Sequence, residues 1–313
     1  MQPISPFHLT FLLFEGFSNM VLANAIEPLR AARDLSGQRL FSWQIASMEG
    51  GSVLSSSRLT VGSDVALDRV GATDALIVVS GYGIRDHLRR KTLQGLLNKA
   101  RGLPLIGGFD TGAWMLAEAG LLAGRRATIH WMETEALAEA FPEIEVIAAP
   151  YVTDGNTVTC GGAQGVLNWS LDLIGAHADD ALRYDVANMF TRTHVAPTES
   201  SSPRMTDRAL PAPMMRAVVA MRESAENPEP LSRIADRAAL TTRSMDRLFH
   251  THLGMPAGRY YRIIRLSHAR ALAIETSLPL EDIAARTGFA SAATLARAYR
   301  AHFGETVRGT RRG

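Results

Sequence analysis

The chain contains one cysteine, Cys160, among 313 residues. A single thiol can form neither an internal disulfide nor a thiolate metal cage, and this usage fits a reducing cytoplasm. No apolar run reaches the roughly 18 residues that a membrane-spanning helix needs. The expectation is therefore a cytoplasmic protein with no membrane partner. The N-terminus, MQPISPFHLTFLLF, has no basic stretch, so a secretory leader is not expected. Net charge is small, +2 at pH 7. The hydrophobic share of 46% argues against disorder, and the length suggests two domains of ordinary size.

The small net charge hides an uneven distribution. Residues 1–212 carry 17 Lys and Arg against 22 Asp and Glu, whereas residues 213–313 carry 16 Arg against 9 acidic residues. An acidic front and a basic back are consistent with a nucleic-acid-binding end.

That basic end contains an internal repeat. PLSRIADRAALTTRSMDRLFHTHLG and LPLEDIAARTGFASAATLARAYRAHFG align at an offset of 49 residues early and 50 late. Ile234 matches Ile283, Ala239 matches Gly288, Arg247 matches Arg297 and Gly254 matches Gly304. Leu231, Ile234, Ala235 and Ala238 follow the i, i+3, i+4, i+7 spacing of a helix with one buried stripe. Each copy reads as two short helices joined by a brief turn, a helix-turn-helix. The second helix of such a pair lies in the major groove with its first turns toward base edges. Those positions are Thr242, Arg243, Ser244 and Arg247 in the first copy, and Ser291, Ala292, Thr294 and Arg297 in the second. Arginine can bridge guanine O6 and N7, and alanine and threonine methyls can pack on thymine. Arg247 and Arg297 can equally pack within their own bundle. Between the copies, GRYYRIIRLSHARALAIET has no breaker after Gly258 and predicts one connecting helix of about 27 Å. Together these predict an all-α C-terminal domain with two helix-turn-helix motifs. The stretch from Arg233 to Gly304 resembles the AraC-type DNA-binding domain over its whole length. One departure is Val307, where that family usually places proline.

The front of the chain alternates strand and helix patterns. FHLTFLLF, FSWQIASM, ALIVVSG and PLIGGF read as strands, with helices over NMVLANAIEPLRAARDL, about 84–100, and GAWMLAEAG. YVTDGNTVTCGG reads as a hairpin. GVLNWSLDLIGAH and DALRYDVANMF finish the unit as helices. The prediction is an α/β fold with a parallel sheet covered on both faces. Proline- and serine-rich residues 196–212 read as a linker, giving domains at 1–195 and 213–313.

GGFDTGAW is the most informative local feature of this front domain. Asp110 lies between Gly108 and Gly112 where a strand hands over to a helix, the small-x-residue-x-small pattern of a strained elbow. This front domain resembles the class I glutamine-amidotransferase-like, PfpI-type superfamily over about residues 7–190, in GFSNMVLANAIEPLRAA, VVSGYG and DTGAWMLAEAGLLAGRRATIHW. The resemblance implies a flavodoxin-like amidotransferase fold. In that superfamily the elbow residue is usually cysteine, with a histidine about twenty residues later. His130 occupies the histidine position, Asp110 replaces the cysteine, and Val21 stands where a carboxylate often partners it. The departures argue against an enzyme, and no catalytic residue, cofactor or metal is expected.

The front domain also resembles that of regulators of glycine betaine, carnitine and arginine catabolism. That resemblance implies a small cationic or zwitterionic amine effector with Asp110 as counter-charge. Trp114, Trp131, Tyr82 and Phe17 are candidate aromatic walls, since aromatic faces beside a carboxylate hold quaternary ammonium groups. Asn24 and Glu27 are further candidates for ligand contact. Asp110 can instead cap its own helix, and each aromatic can instead be core. Two other readings stand: a hydrolase using Asp110 as nucleophile with His130, and a front domain that only dimerises. The order sensor, linker, reader predicts a homodimeric transcription activator. It would bind a double-stranded operator with paired half-sites, with RNA polymerase as a further partner.

Overall fold

The computed structural model describes residues 5–191 and 211–311. The predicted linker at 196–212 therefore lies almost entirely outside the described residues. The described residues divide into a front unit, up to Arg33 and from Arg39 to His177, and a second unit, from Ala178 on together with Asp34–Gln38.

The front unit is built on a seven-stranded sheet. Its strands in chain order are β1 (Phe7–Leu13), β2 (Phe41–Ser47), β5 (Val65–Ala66), β6 (Ala75–Val79), β7 (Leu105–Phe109), β10 (Tyr151–Asp154) and β11 (Thr157–Cys160). The spatial order is β10-β11-β7-β6-β1-β2-β5. All neighbours pair in parallel except β10 with β11, the hairpin closed by Gly155 and Asn156. Two small ribbons lie outside this sheet, β3 (Ser52–Leu54) with β4 (Thr60–Gly62), and β8 (Arg126–Ala127) with β9 (Glu145–Val146). Every residue of β6 is buried. A strand covered on both faces reads as a continuous apolar run, which is why ALIVV is visible in the sequence.

Helices α1 (Asn19–Ser36), α2 (Arg90–Ala100), α3 (Gly112–Glu118), α4 (Thr134–Ala140) and α5 (Ala163–His177) complete this unit. The single helix expected over 84–100 is instead two pieces, a 3-10 turn at Ile84–His87 and then α2. The chain leaves β1 toward β2 on one side and β6 toward β7 on the other. A crevice opens where such directions diverge, beyond the carboxyl ends of the strands, and ligands bind there in open α/β sheets.

The second unit is helical: α6 (Asp180–Thr191), α7 (Ala212–Glu223), α8 (Leu231–Arg237), α9 (Thr242–Leu253), α10 (Ala257–Glu275), α11 (Leu280–Arg286), α12 (Ala292–Phe303) and α13 (Val307–Thr310). Its first core joins Met214, Met221, Ile234, Met245, Phe249 and Tyr260. Its second joins Leu266, Ile283, Leu295, Tyr299, Phe303 and Val307. Burying each such large side chain contributes about 1.5–3 kcal/mol. One boundary differs from the sequence reading. Residues 178–191 were placed with the front domain, but Ala181 of α6 is buried in the first core of the second unit. Apolar residues such as Leu182, Val186, Met189 and Phe190 are spread around α6, so its sequence does not announce which unit it packs on.

Candidate functional site

The elbow at Asp110 is enforced by its neighbours. A Cβ on Gly108 would lie 2.8 Å from the Ala113 nitrogen, and one on Gly112 would lie 2.6 Å from the Val78 carbonyl oxygen. Only glycine fits at either place. Asp110 itself has φ 61°, a left-handed conformation that costs a non-glycine residue of order 1–3 kcal/mol. The surroundings hold it there: the Asp110 amide donates to the Cys160 carbonyl at 2.8 Å, and the His130 amide donates to the Asp110 carbonyl at 3.2 Å. Thr111 follows as the helix cap residue, but its hydroxyl donates to the Gly81 carbonyl at 2.7 Å rather than closing α3.

The Asp110 carboxyl is raised from 3.8 to about 6. Burial drives the rise, opposed by the charge of His130 and a hydrogen bond from the Thr111 amide. At neutral pH the group is ionised and poorly solvated, so a cation beside it gains energy by restoring what burial removed.

A cavity of about 510 Å³ opens beside this elbow, at the crevice between β1 and β6. Gly16 and Ser18 line it after β1, Gly81 to Arg85 after β6, and Asp110 with Thr111 after β7. Ser56, His130, Met132 and Glu133 complete the wall. Of the residues singled out from sequence, Asp110, His130 and Tyr82 line this cavity and the others do not. Trp114 is buried core: its ring meets Phe141 edge-on at 5.6 Å and its Nε1 donates to Glu133 at 2.9 Å. Phe17 is fully buried. Trp131 is exposed, its ring 5.8 Å from that of His130. Asn24 donates to the Ala163 carbonyl at 2.8 Å, and Glu27 pairs with Arg30 at 2.7 Å. An aromatic cage is therefore not what surrounds Asp110, because Tyr82 alone among the expected aromatics reaches the cavity wall.

Arg85 and Glu133 are the residues that sequence reasoning missed. The Arg85 guanidinium lies 4.3 Å above the Trp114 ring and donates through Nη2 to Glu133 at 2.6 Å. Glu133 thus receives both Arg85 and the Trp114 indole, which fixes the plane of the guanidinium. A signal was present: Arg85 lies just past the carboxyl end of the ALIVVSG strand, where the switch-point rule places ligand contacts.

In the second unit, Thr241 caps α9 by accepting from the Ser244 amide at 3.1 Å, and Ser291 caps α12 by accepting from the Thr294 amide at 3.2 Å. The side chains at these corners are engaged too: the Thr241 hydroxyl donates to the Ser244 hydroxyl at 3.0 Å, and the Ser291 and Thr294 hydroxyls bond each other at 3.0 Å. Ala292 is half-buried and Thr242 is exposed. Arg243, Arg247 and Arg297 are exposed and make no ion pair among the described residues. They project from the same helices whose opposite faces bury Met245, Phe249, Leu295 and Tyr299. Three free guanidinium groups on the outer faces of second helices are suited to reading a polyanion. The expected structural alternative for arginine is met by others: Arg216 donates to the Ala238 carbonyl and Arg265 to the Thr287 carbonyl, each 49 residues from the other. Both close the carbonyl end of the first helix of their pair. Val307 starts α13, with Thr306 as cap and its own side chain buried, so the missing proline leaves this helix intact.

Comparison with known proteins agrees with both halves. Residues 234–313 match the helix-turn-helix domain family and residues 8–176 match the DJ-1/PfpI family. The chain is an AraC-type transcription regulator with a DJ-1/PfpI front domain. It is similar to the HTH-type transcriptional regulator GlxA of Rhizobium meliloti, 36% identical over 310 residues that span 96% of this chain and 94% of that one. It is also similar to the HTH-type transcriptional regulator GbdR of Pseudomonas aeruginosa, 32% identical over 316 residues, 100% of this chain and 86% of that one. Among solved structures, an AraC family transcriptional regulator from Pseudomonas putida superposes with a TM-score of 0.53 at 27% identity. It covers 59% of this chain and all of its own. Residues 177–233, which hold α6 and α7, fall between the two family matches. No helix among the described residues is long and apolar enough to cross a membrane.

Proposed function

We propose that this DNA-binding regulator is an effector-controlled activator whose front unit binds a small zwitterionic amine. One observation carries the reading: a single cavity is lined by the half-buried carboxylate of Asp110 and by the oriented guanidinium of Arg85. Asp110 holds the ammonium group, and Arg85 takes the carboxylate through donors that Glu133 leaves free. Both interactions are charge-assisted and gain strength away from water. The resemblance to regulators of betaine, carnitine and arginine catabolism supports the same chemical class. The reader then engages DNA through α9 and α12, and a dimer of the chain places two readers on paired half-sites.

Thermal denaturation of the full chain with glycine betaine, carnitine, arginine and choline tests this reading. A ligand that binds the native state stabilises it by RT ln(1 + L/Kd), with L the free ligand concentration, and so raises the apparent melting temperature. A zwitterion that stabilises the wild type and leaves Asp110→Asn unaffected supports the proposal. A flat response to the whole panel sinks it.

A second reading has one observation in its favour. Asp110 stands at the position of an elbow nucleophile with His130 beside it, as a hydrolase forming an aspartyl ester would need. Turnover of an alkyl halide or epoxide by the wild type, in which Asp110 displaces the leaving group at carbon and water then hydrolyses the ester, abolished in Asp110→Asn, would replace the sensor reading.

A further inference from the structure

Helix α6 falls outside both family matches, and the sequence places it on the front side of residues 192–210. It nevertheless packs with the reader. Ala181 and Tyr184 lie against the first core, and the Tyr184 hydroxyl donates to the Met215 sulfur at 2.8 Å. The decisive contact is Asp185. Its Oδ1 accepts from Arg222 Nη2 of α7 at 2.6 Å and from the Tyr260 hydroxyl of α10 at 2.6 Å. Tyr260 is fully buried, and its ring lies 5.3 Å from that of Phe249, the central core residue of α9. One carboxylate on α6 therefore ties together α7 and α10, two of the helices against which α9 is seated.

The repeat shows that this cluster is an addition to one copy. Arg216 and Arg265 occupy matching positions and do the same work in the two copies. At the positions matching Arg222 and Tyr260, the second copy has Ala271 and Thr310. Thr310 bonds instead to Tyr299 and Glu305 within its own half. The second helix-turn-helix has a different pair, Arg270 of α10 with the more exposed Glu305 at 3.3 Å, whereas the first depends on a well-buried carboxylate supplied by α6.

A buried ion pair is a poor permanent glue, because desolvation of both groups offsets much of their attraction. Here the offset is incomplete, since Arg222 Nε is buried and has no partner among the described residues, and the same holds for Arg270 Nε in the other half. An undocked α6 returns Asp185 to water, at the cost of exposing the buried Ala181 and Val186 side chains. Only Ala178 and Asp179 separate α6 from α5 of the front unit.

We propose that α6 is a reversible clasp on the first helix-turn-helix alone. Asp185 is the positioning residue through which the docked clasp sets α9 for DNA. Docked, α6 holds α7 and α10 so that Arg243 and Arg247 meet the groove. Undocked, α9 loses its seat while α12 keeps its own. The proposal rests on the DNA-reading role of the chain and not on the identity of the effector.

The test uses the full chain and a duplex selected by the wild-type protein from a random library. Hydroxyl-radical footprinting of the wild type is expected to show two protected segments, and loss of one in Arg247→Ala assigns it to α9. Asp185→Ala is expected to lose that same segment, keep the α12 segment, and weaken overall affinity roughly tenfold, within the range of intramolecular couplings. Amide hydrogen exchange is expected to speed up in α9 and α10 and stay unchanged in α12. Replacing the whole cluster with apolar side chains, Asp185→Leu with Arg222→Met and Tyr260→Phe, leaves no polar group unpaired and is expected to keep α6 docked and restore the α9 segment. A folded Asp185→Ala protein with both segments intact overturns the proposal. So does equal loss of both segments, or an apolar cluster that fails to restore the lost segment although it melts at the wild-type temperature.

Discussion

Ala239 and Gly288 occupy the same corner of the two helix-turn-helix copies, and both adopt the left-handed conformation, with φ of 57° and 65°. Glycine takes this conformation at no steric cost, whereas alanine spends roughly 1–2 kcal/mol on it. The first copy sustains the strain because the corner is pinned. The Leu240 amide donates to the Ala235 carbonyl at 2.9 Å, and Arg216 holds the Ala238 carbonyl. The second copy has no such freedom: a Cβ on Gly288 would lie 2.6 Å from Pro228 Cγ. Gly288→Ala is therefore expected to destabilise the helical unit by about 2–4 kcal/mol, the sum of strain and overpacking. Ala239→Gly is expected to change it by less than about 1 kcal/mol, because relief of strain offsets the greater freedom of the unfolded chain. All four tryptophans, at 43, 114, 131 and 169, lie in the front unit. Urea denaturation followed by helical dichroism should shift in Gly288→Ala while the tryptophan fluorescence transition does not.

Asp110 gives the front unit a pH dependence of known sign. Its folded pKa of about 6 exceeds the unfolded value of 3.8, so folding favours the protonated carboxyl. That contribution is fully present below 3.8 and is lost as pH rises through 6. Asp110→Asn keeps a neutral side chain at every pH. Its front unit is expected to be about 1–2 kcal/mol more stable than wild type at pH 7.5, after discounting for partial exposure, and equal to it near pH 3.5. Tryptophan-detected urea melts at the two pH values check this, and equal stability at both would show that burial of the charge costs nothing. Affinity for a cationic group is expected to fall with acidification below about 6 for the same reason.

The parts legible in the sequence were those governed by local chemistry. Buried strands such as ALIVV announce themselves by composition, the elbow by Gly108 and Gly112, and the duplicated reader by its 49-residue offset. Helix caps and apolar stripes act over one turn, and a reader of the sequence sees one turn at a time. What stayed hidden was set by contacts distant along the chain. Trp114 looked like a cage wall because it follows the elbow closely, but α3 turns its ring inward onto Phe141, and Glu133 takes its indole N–H. Arg85 became a cavity residue only when residues 133 and 114 came together around it. Helix α6 crossed to the other unit through Asp185, whose partners lie 37 and 75 residues away.

Arg85 sets a selectivity that a substitution should reverse. Arg85→Gln removes a carboxylate partner and leaves Glu133 with the Trp114 indole as its remaining bond. A charge-assisted hydrogen bond contributes about 1.5–3 kcal/mol, so glycine betaine is expected to lose roughly 10- to 100-fold in affinity. Choline carries the same ammonium group without the carboxylate, and the released charge of Glu133 should improve its binding. Calorimetric titration of both ligands into both proteins decides the matter. Parallel loss of the two ligands would show that Arg85 holds the fold of the cavity and does not read the ligand.

The reader predicts unequal contributions from its two copies. Arg243 and Arg247 stand on the first turns of α9, but the first two turns of α12 carry one arginine, Arg297, with Arg300 further along and capping occupying Ser291 and Thr294. A guanidinium bridging guanine O6 and N7 contributes about 1–3 kcal/mol of discrimination at one base pair. Arg243→Ala and Arg247→Ala are each expected to relax one position of the selected site, and Arg297→Ala to relax one position in the other half. Arginines that touch only phosphate behave differently: their loss weakens all sequences alike and lowers the salt slope by about one. Affinities measured against the selected duplex and single-base variants, at two salt concentrations, separate these outcomes. A uniform loss across variants with a shallower slope would assign Arg243 and Arg247 to the backbone. Specificity would then have to come from Thr242 and Ala292 methyl contacts and from the shape of the duplex.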